Sequence, residues 1–248
     1  MLNHPTLTKL RTLKLTGMAN AFEQQLKDPL SDLDFDQRLS LLVEQEWLTR
    51  ENQRLKRRLS QAKLQQPACL EDINYQNTRG LTKAKIQELS QGNWIRQHFN
   101  LLITGSTGCG KTYLACALAH RACLTGFTSR YCRLPRLWNE LKIARADGTY
   151  AQLLSQLAKT DLLILDDWGL VPPDTEQRRD LLEILDDRYQ KRSTIVTSQL
   201  PTSHWHEHLN DANIADAILD RLIHNAIRLE LKGESMRKTQ KHLPENEK

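Results

Sequence analysis

The feature that most constrains the fold of this chain is a glycine-rich motif. The motif reads Gly105-Ser106-Thr107-Gly108-Cys109-Gly110-Lys111-Thr112 and fits the pattern G-x-x-x-x-G-K-[ST]. Glycines let such a loop bend so that successive backbone N–H groups converge on phosphate oxygens. Lys111 can then reach the outer phosphates, and the Thr112 hydroxyl can ligate Mg²⁺. The motif therefore predicts a site for a nucleoside triphosphate.

The residues on either side of the motif have the secondary structure that a phosphate-binding loop requires. Residues 99–104 form a short apolar run that is typical of a buried strand. Residues 113–122 contain neither Gly nor Pro and predict a helix, whose N-terminal dipole would favour a bound anion. We therefore assign the nucleotide site to the loop through Tyr113, in preference to a surface turn that matches the pattern by chance.

A second candidate site consists of two adjacent carboxylates. The apolar residues 162–165 are followed directly by Asp166 and Asp167. This pattern predicts a buried parallel strand with acidic groups at its C-terminal end, where open α/β sheets bind ligands. One carboxylate can hold Mg²⁺, and the other can orient or deprotonate an attacking water. A strand that ends in an acidic turn is the alternative, and the phosphate loop favours the site.

The pattern of helices and strands predicts two parts of unequal size. Residues 1–66 contain a single glycine, Gly17, and predict a short pair of helices broken near it, then a long helix from about Asp36 to Leu64. Pro67 ends this helix, and residues 67–80 are interpreted as a linker. Residues 81–248 predict helices at 81–91, 113–122, 176–190 and 212–224, strands at 99–104, 162–165, 193–199 and 227–231, and a closing helix from 233. The expected fold is α/β, with a parallel sheet flanked by helices after a small all-α N-terminal domain.

The charge of the chain favours an anionic partner. The formal net charge is +5 and the pI is about 9.0. Basic residues concentrate between positions 50 and 63 and between positions 130 and 145. A solvated surface is one interpretation, and contact with a nucleic-acid backbone is the other. The candidate DNA contacts are Arg54, Arg57, Arg58, Arg133, Arg136, Lys142 and Arg145.

The same composition argues against membrane and secreted proteins. No apolar run approaches the roughly 18 residues of a membrane span. The first residues carry Lys9, Arg11 and Lys14 among leucines and have no apolar core or cleavage site of a secretory signal. We therefore expect a cytoplasmic protein with no membrane partner.

Further motifs occur in one order along nearly the whole chain. They are residues 15–22, residues 38–52, Leu165-Asp166-Asp167-Trp168-Gly169, Thr197-Ser198-Gln199, Asp220-Arg221-Leu222 and Gly233-Glu234-Ser235-Met236-Arg237. Together with the phosphate loop, they resemble the IstB-like helper ATPases of bacterial insertion sequences and, more distantly, the DnaC-type helicase loaders. Both groups belong to the AAA+ class of P-loop NTPases.

The resemblance implies a role for each catalytic candidate. Lys111 and Thr112 would be the Walker A pair, and Asp166 the Walker B carboxylate that holds Mg²⁺. Asp167 stands where many AAA+ proteins carry the longer Glu, which leaves its role as catalytic base open.

Three further residues have roles by resemblance alone. Gln199 is similar to the polar sensor at the end of the fourth core strand. Arg221 is similar to the arginine finger that acts on ATP bound to a neighbouring subunit. Arg237 is similar to the second sensor, which responds to the γ-phosphate within its own chain.

The resemblance further implies an ATPase of bacterial cells that assembles with ATP and Mg²⁺ as a homo-oligomer on double-stranded DNA. This assembly would present the target to a partner transposase. Two alternatives stay open: a helicase loader that acts on single-stranded DNA, and a nucleotide-gated DNA scaffold with negligible hydrolysis. An L-S-G-G-Q-like transporter signature is absent from the sequence.

Overall fold

The chain forms two compact units. The computed structural model describes residues 4–28, 32–73, 75 and 80–233. The units are Met1–Arg57 and Arg58–Lys248. The predicted closing helix from residue 233 lies outside the described residues.

The described part of the first unit consists of helices and the turns between them. Its helices are α1 (Pro5–Thr12), α2 (Thr16–Lys27) and most of α3 (Phe35–Ala62). The expected pair of short helices is present, and the chain turns at residues 13–15, close to Gly17, which itself lies in the first turn of α2. A Cβ atom at Gly17 would lie 2.5 Å from the carbonyl oxygen of Gln45, so this glycine allows α2 to pack closely against α3.

A buried carboxylate joins the same two helices. Glu46 accepts hydrogen bonds from the backbone N–H groups of Gly17 (2.8 Å) and Met18 (3.1 Å), in the first turn of α2. Its other oxygen lies 2.7 Å from Nε of Arg50. Burial opposes the charged form of Glu46, but these three donors outweigh it and lower its pKa. The charge therefore satisfies N–H groups that a helix N-terminus leaves unpaired.

The second unit is a parallel sheet between two layers of helices. Its strands are β1 (Asn100–Gly105), β2 (Ser129–Arg133), β3 (Leu162–Trp168), β4 (Ser193–Ser198) and β5 (Ala226–Leu231). They lie in the order β2-β3-β4-β1-β5, and every neighbouring pair is parallel. The helices are α4 (Lys83–Ser90), α5 (Asn93–Arg96), α6 (Lys111–Leu124), α7 (Leu134–Asp147), α8 (Tyr150–Lys159), α9 (Thr175–Arg188), α10 (Trp205–Leu209) and α11 (Ala212–Ile223). The predicted parallel α/β fold is confirmed.

Both faces of the sheet are buried. Leu101 and Ile103 of β1 pack into one apolar cluster with α4, α5 and α6, whereas Leu102 packs into a second cluster with α7 to α11. The centres of β1 and β3 are apolar without interruption, as expected of strands covered on both faces, whereas β5 alternates apolar residues with Arg228 and Glu230. These three strands and β4 were predicted, but β2 was not, because Arg130 and Arg133 interrupt its apolar residues.

The boundary between the units differs from the predicted one at residue 66. The division lies inside α3, between Arg57 and Arg58. Ala68 and Leu70 are buried in the core of the second unit, and Ile73 packs against it. The segment predicted as a linker therefore contributes to this core, because apolar contacts and not the end of a helix define a compact unit. Among the described residues, no helix combines the length and apolarity needed to cross a membrane.

Candidate nucleotide-binding site

The glycine-rich loop connects the C-terminal end of β1 to the first turn of α6. A Cβ atom at Gly105 would lie 2.3 Å from the carbonyl oxygen of Leu231, at the end of the neighbouring strand β5. Only glycine fits this close approach. The loop thus meets the carboxyl edge of the sheet at the N-terminus of a long helix, where N–H groups and the helix dipole both favour an anion.

Lys111 places a buried ammonium group inside the loop. Its Nζ donates hydrogen bonds to the carbonyl oxygens of Gly105 (2.7 Å) and Ser106 (2.8 Å). Burial lowers the pKa of Lys111, and the charges of Cys109, Asp166 and Asp167 oppose this shift. A positive charge is therefore held where the phosphates of a nucleotide would lie.

Asp166 is the centre of a hydroxyl cluster. The residue is 3% exposed, and its carboxylate accepts hydrogen bonds from Thr112 of α6, Tyr131 of β2 and Thr197 of β4. The Thr112 hydroxyl lies 3.1 Å from both carboxylate oxygens. Thr112 and Asp166, predicted from separate motifs, are thus adjacent, and their oxygen atoms are the ligand type that Mg²⁺ prefers.

Asp167, the second carboxylate of the pair, has a different partner. The pairing of β3 with β4 is irregular between Leu165 and Trp168, and Asp167 has a left-handed backbone with φ of 63°. Bulges of this kind redirect side chains and are common next to active sites. The Asp167 carboxylate forms an ion pair with Arg133 at the end of β2. Arg133, predicted as a DNA contact, is therefore a neighbour of the nucleotide site.

The remaining catalytic candidates lie farther along the chain. Gln199 follows β4 and is exposed, whereas Thr197 of the same strand contacts Asp166. Arg221 lies on α11, where its Nε is 2.6 Å from the Asp186 carboxylate and its side chain is 26% exposed. Arg237 lies outside the described residues.

The start of β1 fixes the position of α11. The side-chain amide of Asn100 donates to the carbonyl oxygens of Arg221 (3.0 Å) and Leu222 (3.2 Å), and its oxygen accepts from the Thr194 N–H (2.9 Å). The helix that carries Arg221 is therefore anchored to β1 and β4, the strands that border the site.

Three of the predicted DNA contacts lie on α7, and they differ in whether a carboxylate of the protein already pairs with them. Arg136 and Lys142 are exposed and have no ion-pair partner in the described part of the chain. Arg145 instead forms ion pairs with Glu176 (2.9 Å) and Asp180. Its guanidinium therefore already has two carboxylate partners, which weakens the case for contact with phosphate.

The predicted DNA contacts near the end of α3 also differ in their partners within the protein. Arg54 forms an ion pair with Glu51 at 2.5 Å, and Arg57 is exposed. Arg58 donates from Nε to the carbonyl oxygen of Cys123 (3.0 Å), which leaves its terminal nitrogens available.

The family of the chain follows from comparison with known proteins. The model of the family described as IstB-like ATP binding protein matches residues 8–244. The chain belongs to the IstB-like family. A Sinorhizobium fredii (strain NBRC 101917 / NGR234) protein, named as insertion sequence ATP-binding protein y4pL, is 51% identical to this IstB-like chain over 242 residues, 97% of this chain and 99% of y4pL.

Solved structures share the fold of this chain. The crystal structure of DnaI has a TM-score of 0.59 and 24% identity, covering 68% of the IstB-like chain and 96% of DnaI. The DnaC helicase loader has a TM-score of 0.56 and 23% identity, covering 66% of this chain and 97% of the loader. At this identity the likeness concerns the fold alone, and it agrees with the expected parallel sheet flanked by helices.

Two residues of the site were not predicted from the sequence of this IstB-like protein. Tyr131 and Thr197 reach Asp166 from the strands on either side of β3. Burial and the hydrogen bond to Asp166 raise the pKa of Tyr131, so its hydroxyl stays protonated and can donate. A hydroxyl residue near the C-terminal end of a core strand is the signal that could have identified both.

Proposed function

We propose that this protein is an ATP-dependent, DNA-binding transposition helper that assembles on target double-stranded DNA, hydrolyses ATP and recruits or stimulates a partner transposase. One observation carries the nucleotide part of the proposal. Lys111, Thr112 and Asp166, from two separate motifs, meet at the N-terminus of α6. The family membership and the name of y4pL support the connection with insertion sequences.

The proposed ligand is ATP with Mg²⁺. The backbone N–H groups from Gly105 to Tyr113 would hold the phosphates, and Lys111 would turn from the loop carbonyls to the outer phosphates. Thr112 and Asp166 would hold the metal ion, which when bound neutralises phosphate charge. The cluster around Asp166 supports this assignment, because Tyr131 and Thr197 fix the carboxylate while Thr112 remains within reach of it.

The other catalytic candidates would have distinct roles in ATP hydrolysis. Asp167 would orient the attacking water once its carboxylate leaves Arg133. Gln199 and Arg237 are proposed as sensors of the γ-phosphate, and Arg221 as the finger delivered to a neighbouring subunit. If Asp167 stays bound to Arg133, the protein would instead be a nucleotide-gated scaffold.

Assembly and DNA binding have independent support. Phe35, Val43 and Trp47 of α3 are 67%, 52% and 58% exposed, and exposed apolar side chains mark association surfaces. The exposed cations Arg136 and Lys142, together with the net charge of +5, favour a polyanion. A helper of this kind works on DNA in the bacterial cytoplasm.

The function as a whole is tested by adding a DNA duplex to the purified protein, with and without ATP, and measuring particle mass and hydrolysis together. We expect ATP to increase the mass of the complex on duplex DNA and DNA to increase ATP turnover. Preference for single strands would favour a helicase loader, and ATP-dependent mass without turnover would favour the scaffold. No binding of ATP or DNA would contradict the proposal.

Tyr131→Phe is expected to weaken Mg²⁺-dependent ATP binding. The change removes a hydroxyl that orients Asp166, and loss of such supporting contacts lowers metal affinity by about 10- to 100-fold. The ATP affinity of the variant is measured in Mg²⁺ and again in EDTA, and only the Mg²⁺ value should fall. Tyr150→Phe is the control, because its hydroxyl contacts Asp180 and Glu183 instead. An equal loss in EDTA would contradict the assigned role.

A further inference from the structure

A basic cleft lies on the second unit, away from the nucleotide loop. Its volume is about 610 Å³, within the range of ligand-binding clefts. Four cationic side chains contribute to its lining, and none of the described residues that line it is acidic. The cations are Arg58 and Lys63 from the end of α3, Arg130 from β2 and Lys159 from the end of α8.

The four cations divide into an anchored and an exposed pair. Arg58 and Arg130 are half-buried, and each uses part of its guanidinium inside the protein: Arg58 on the Cys123 carbonyl, and Arg130 on Glu140 at 3.2 Å. Lys63 and Lys159 are exposed and have no ion-pair partner among the residues that the structure describes. Two anchored guanidinium groups beside two exposed ammonium groups could contact successive phosphates of a nucleic-acid backbone.

The negative groups near the cleft do not neutralise it. Glu140 offsets one charge, and the C-terminal ends of α3 and α8 each add about half a negative charge. The next acid along, Asp161, is engaged by the Thr128 backbone (2.9 Å) and by Arg192 (3.5 Å). An excess of roughly two positive charges therefore remains.

The position of the cleft separates it from ATP. Thr128, Ser129 and Thr160 line it, and they lie at the amino ends of β2 and β3. The nucleotide loop and Asp166 lie at the carboxyl ends of the same parallel sheet. A ligand in the cleft and a nucleotide in the loop could therefore be bound together.

We propose that this cleft binds the sugar-phosphate backbone of duplex DNA. The proposal rests on the DNA-binding function proposed above and gives it a location that differs from the basic face of α7. A cleft without an acidic lining, at the opposite edge of the sheet from ATP, binds backbone phosphates without reading bases. Arg58, Lys63, Arg130 and Lys159 are its contacts.

The test is the salt dependence of DNA affinity for the full chain. The variant Lys63→Glu/Lys159→Glu changes two exposed side chains and should fold normally. Affinity for a labelled duplex is measured by fluorescence anisotropy over a range of salt concentrations. Because each lost phosphate contact removes about 0.9 from the log–log slope, the slope should become shallower by about two, with affinity at least about tenfold lower at low salt.

The matched control is Lys83→Glu/Arg179→Glu, which makes the same change in net charge at two exposed cations outside the cleft. The control should bind the duplex more tightly than the cleft variant does, and its salt dependence should have the wild-type slope. Both variants should bind ATP normally. Equal losses in the two variants, an unchanged slope in the cleft variant, or loss of its ATP binding would overturn the proposal. If the wild-type protein binds no duplex, the proposed function itself fails, which is a different result from wild-type binding that survives the cleft substitutions.

Discussion

Replacing Lys111 by Ala is expected to lower the affinity for ATP by roughly 30- to 5,000-fold. Lys111 is 9% exposed and its ammonium group lies inside the phosphate loop, so its removal would leave phosphate charge without this partner. Losing one partner of a buried, hydrogen-bonded charge pair costs about 2–5 kcal/mol. ATP hydrolysis should fall at least as far, because the same charge would stabilise the phosphoryl group during transfer.

Isothermal titration calorimetry with ATP and Mg²⁺ measures this loss directly. Lys85→Ala is the matched control, because Lys85 is a surface lysine that pairs with Glu88 and lies outside the loop. Thermal denaturation of both variants separates lost binding from lost folding. An unchanged ATP dissociation constant in well-folded Lys111→Ala protein would contradict the assignment of the nucleotide site.

The phosphate loop could be predicted from sequence because its chemistry is local. Its glycines, Lys111 and Thr112 are consecutive or nearly so, and the flanking strand and helix are set by their own apolar patterns. Asp166 could be found for a related reason: buried parallel strands are apolar throughout, so a carboxylate that ends such a run is conspicuous.

Contacts between distant segments could not be predicted in the same way. Tyr131 and Thr197 meet at Asp166 only because β2 and β4 flank β3, and the strand order is not written in any one stretch of sequence. The irregular pairing that turns Asp167 towards Arg133 is equally invisible. An alternating pattern places neighbouring side chains on opposite faces, but a bulge changes this rule locally.

The roles of single residues also depend on partners from elsewhere in the chain. The helix break expected near Gly17 lies at residues 13–15, and Gly17 itself allows the close contact of α2 with α3. Arg145 belongs to a basic stretch of sequence, yet Glu176 and Asp180 on α9 face it. Net charge along a segment therefore says little about which cations are available, because their partners come from elsewhere in the fold.

Arg221→Ala is expected to reduce DNA-stimulated ATP turnover by about 10³- to 10⁵-fold and to leave ATP binding intact. An arginine finger contributes this much by stabilising charge on the transferred phosphoryl group, which corresponds to about 4–7 kcal/mol. Within one chain Arg221 is paired with Asp186, whose side chain is 61% exposed. A surface ion pair is worth at most about 1 kcal/mol, so this pair opposes transfer of the guanidinium to a neighbouring subunit only weakly.

Complementation between variants distinguishes a finger supplied by a neighbour from a residue that acts within its own chain. Lys111→Ala subunits keep the finger but lack a functional nucleotide site, whereas Arg221→Ala subunits keep the site but lack the finger. Mixing the two should restore measurable turnover, since some interfaces then combine an intact site with an intact finger. Asp186→Asn is the control for the ion pair and should keep turnover, because it removes the carboxylate partner of Arg221 and leaves the guanidinium in place. Normal turnover in Arg221→Ala, or loss of turnover that mixing does not restore, would reject the finger in trans.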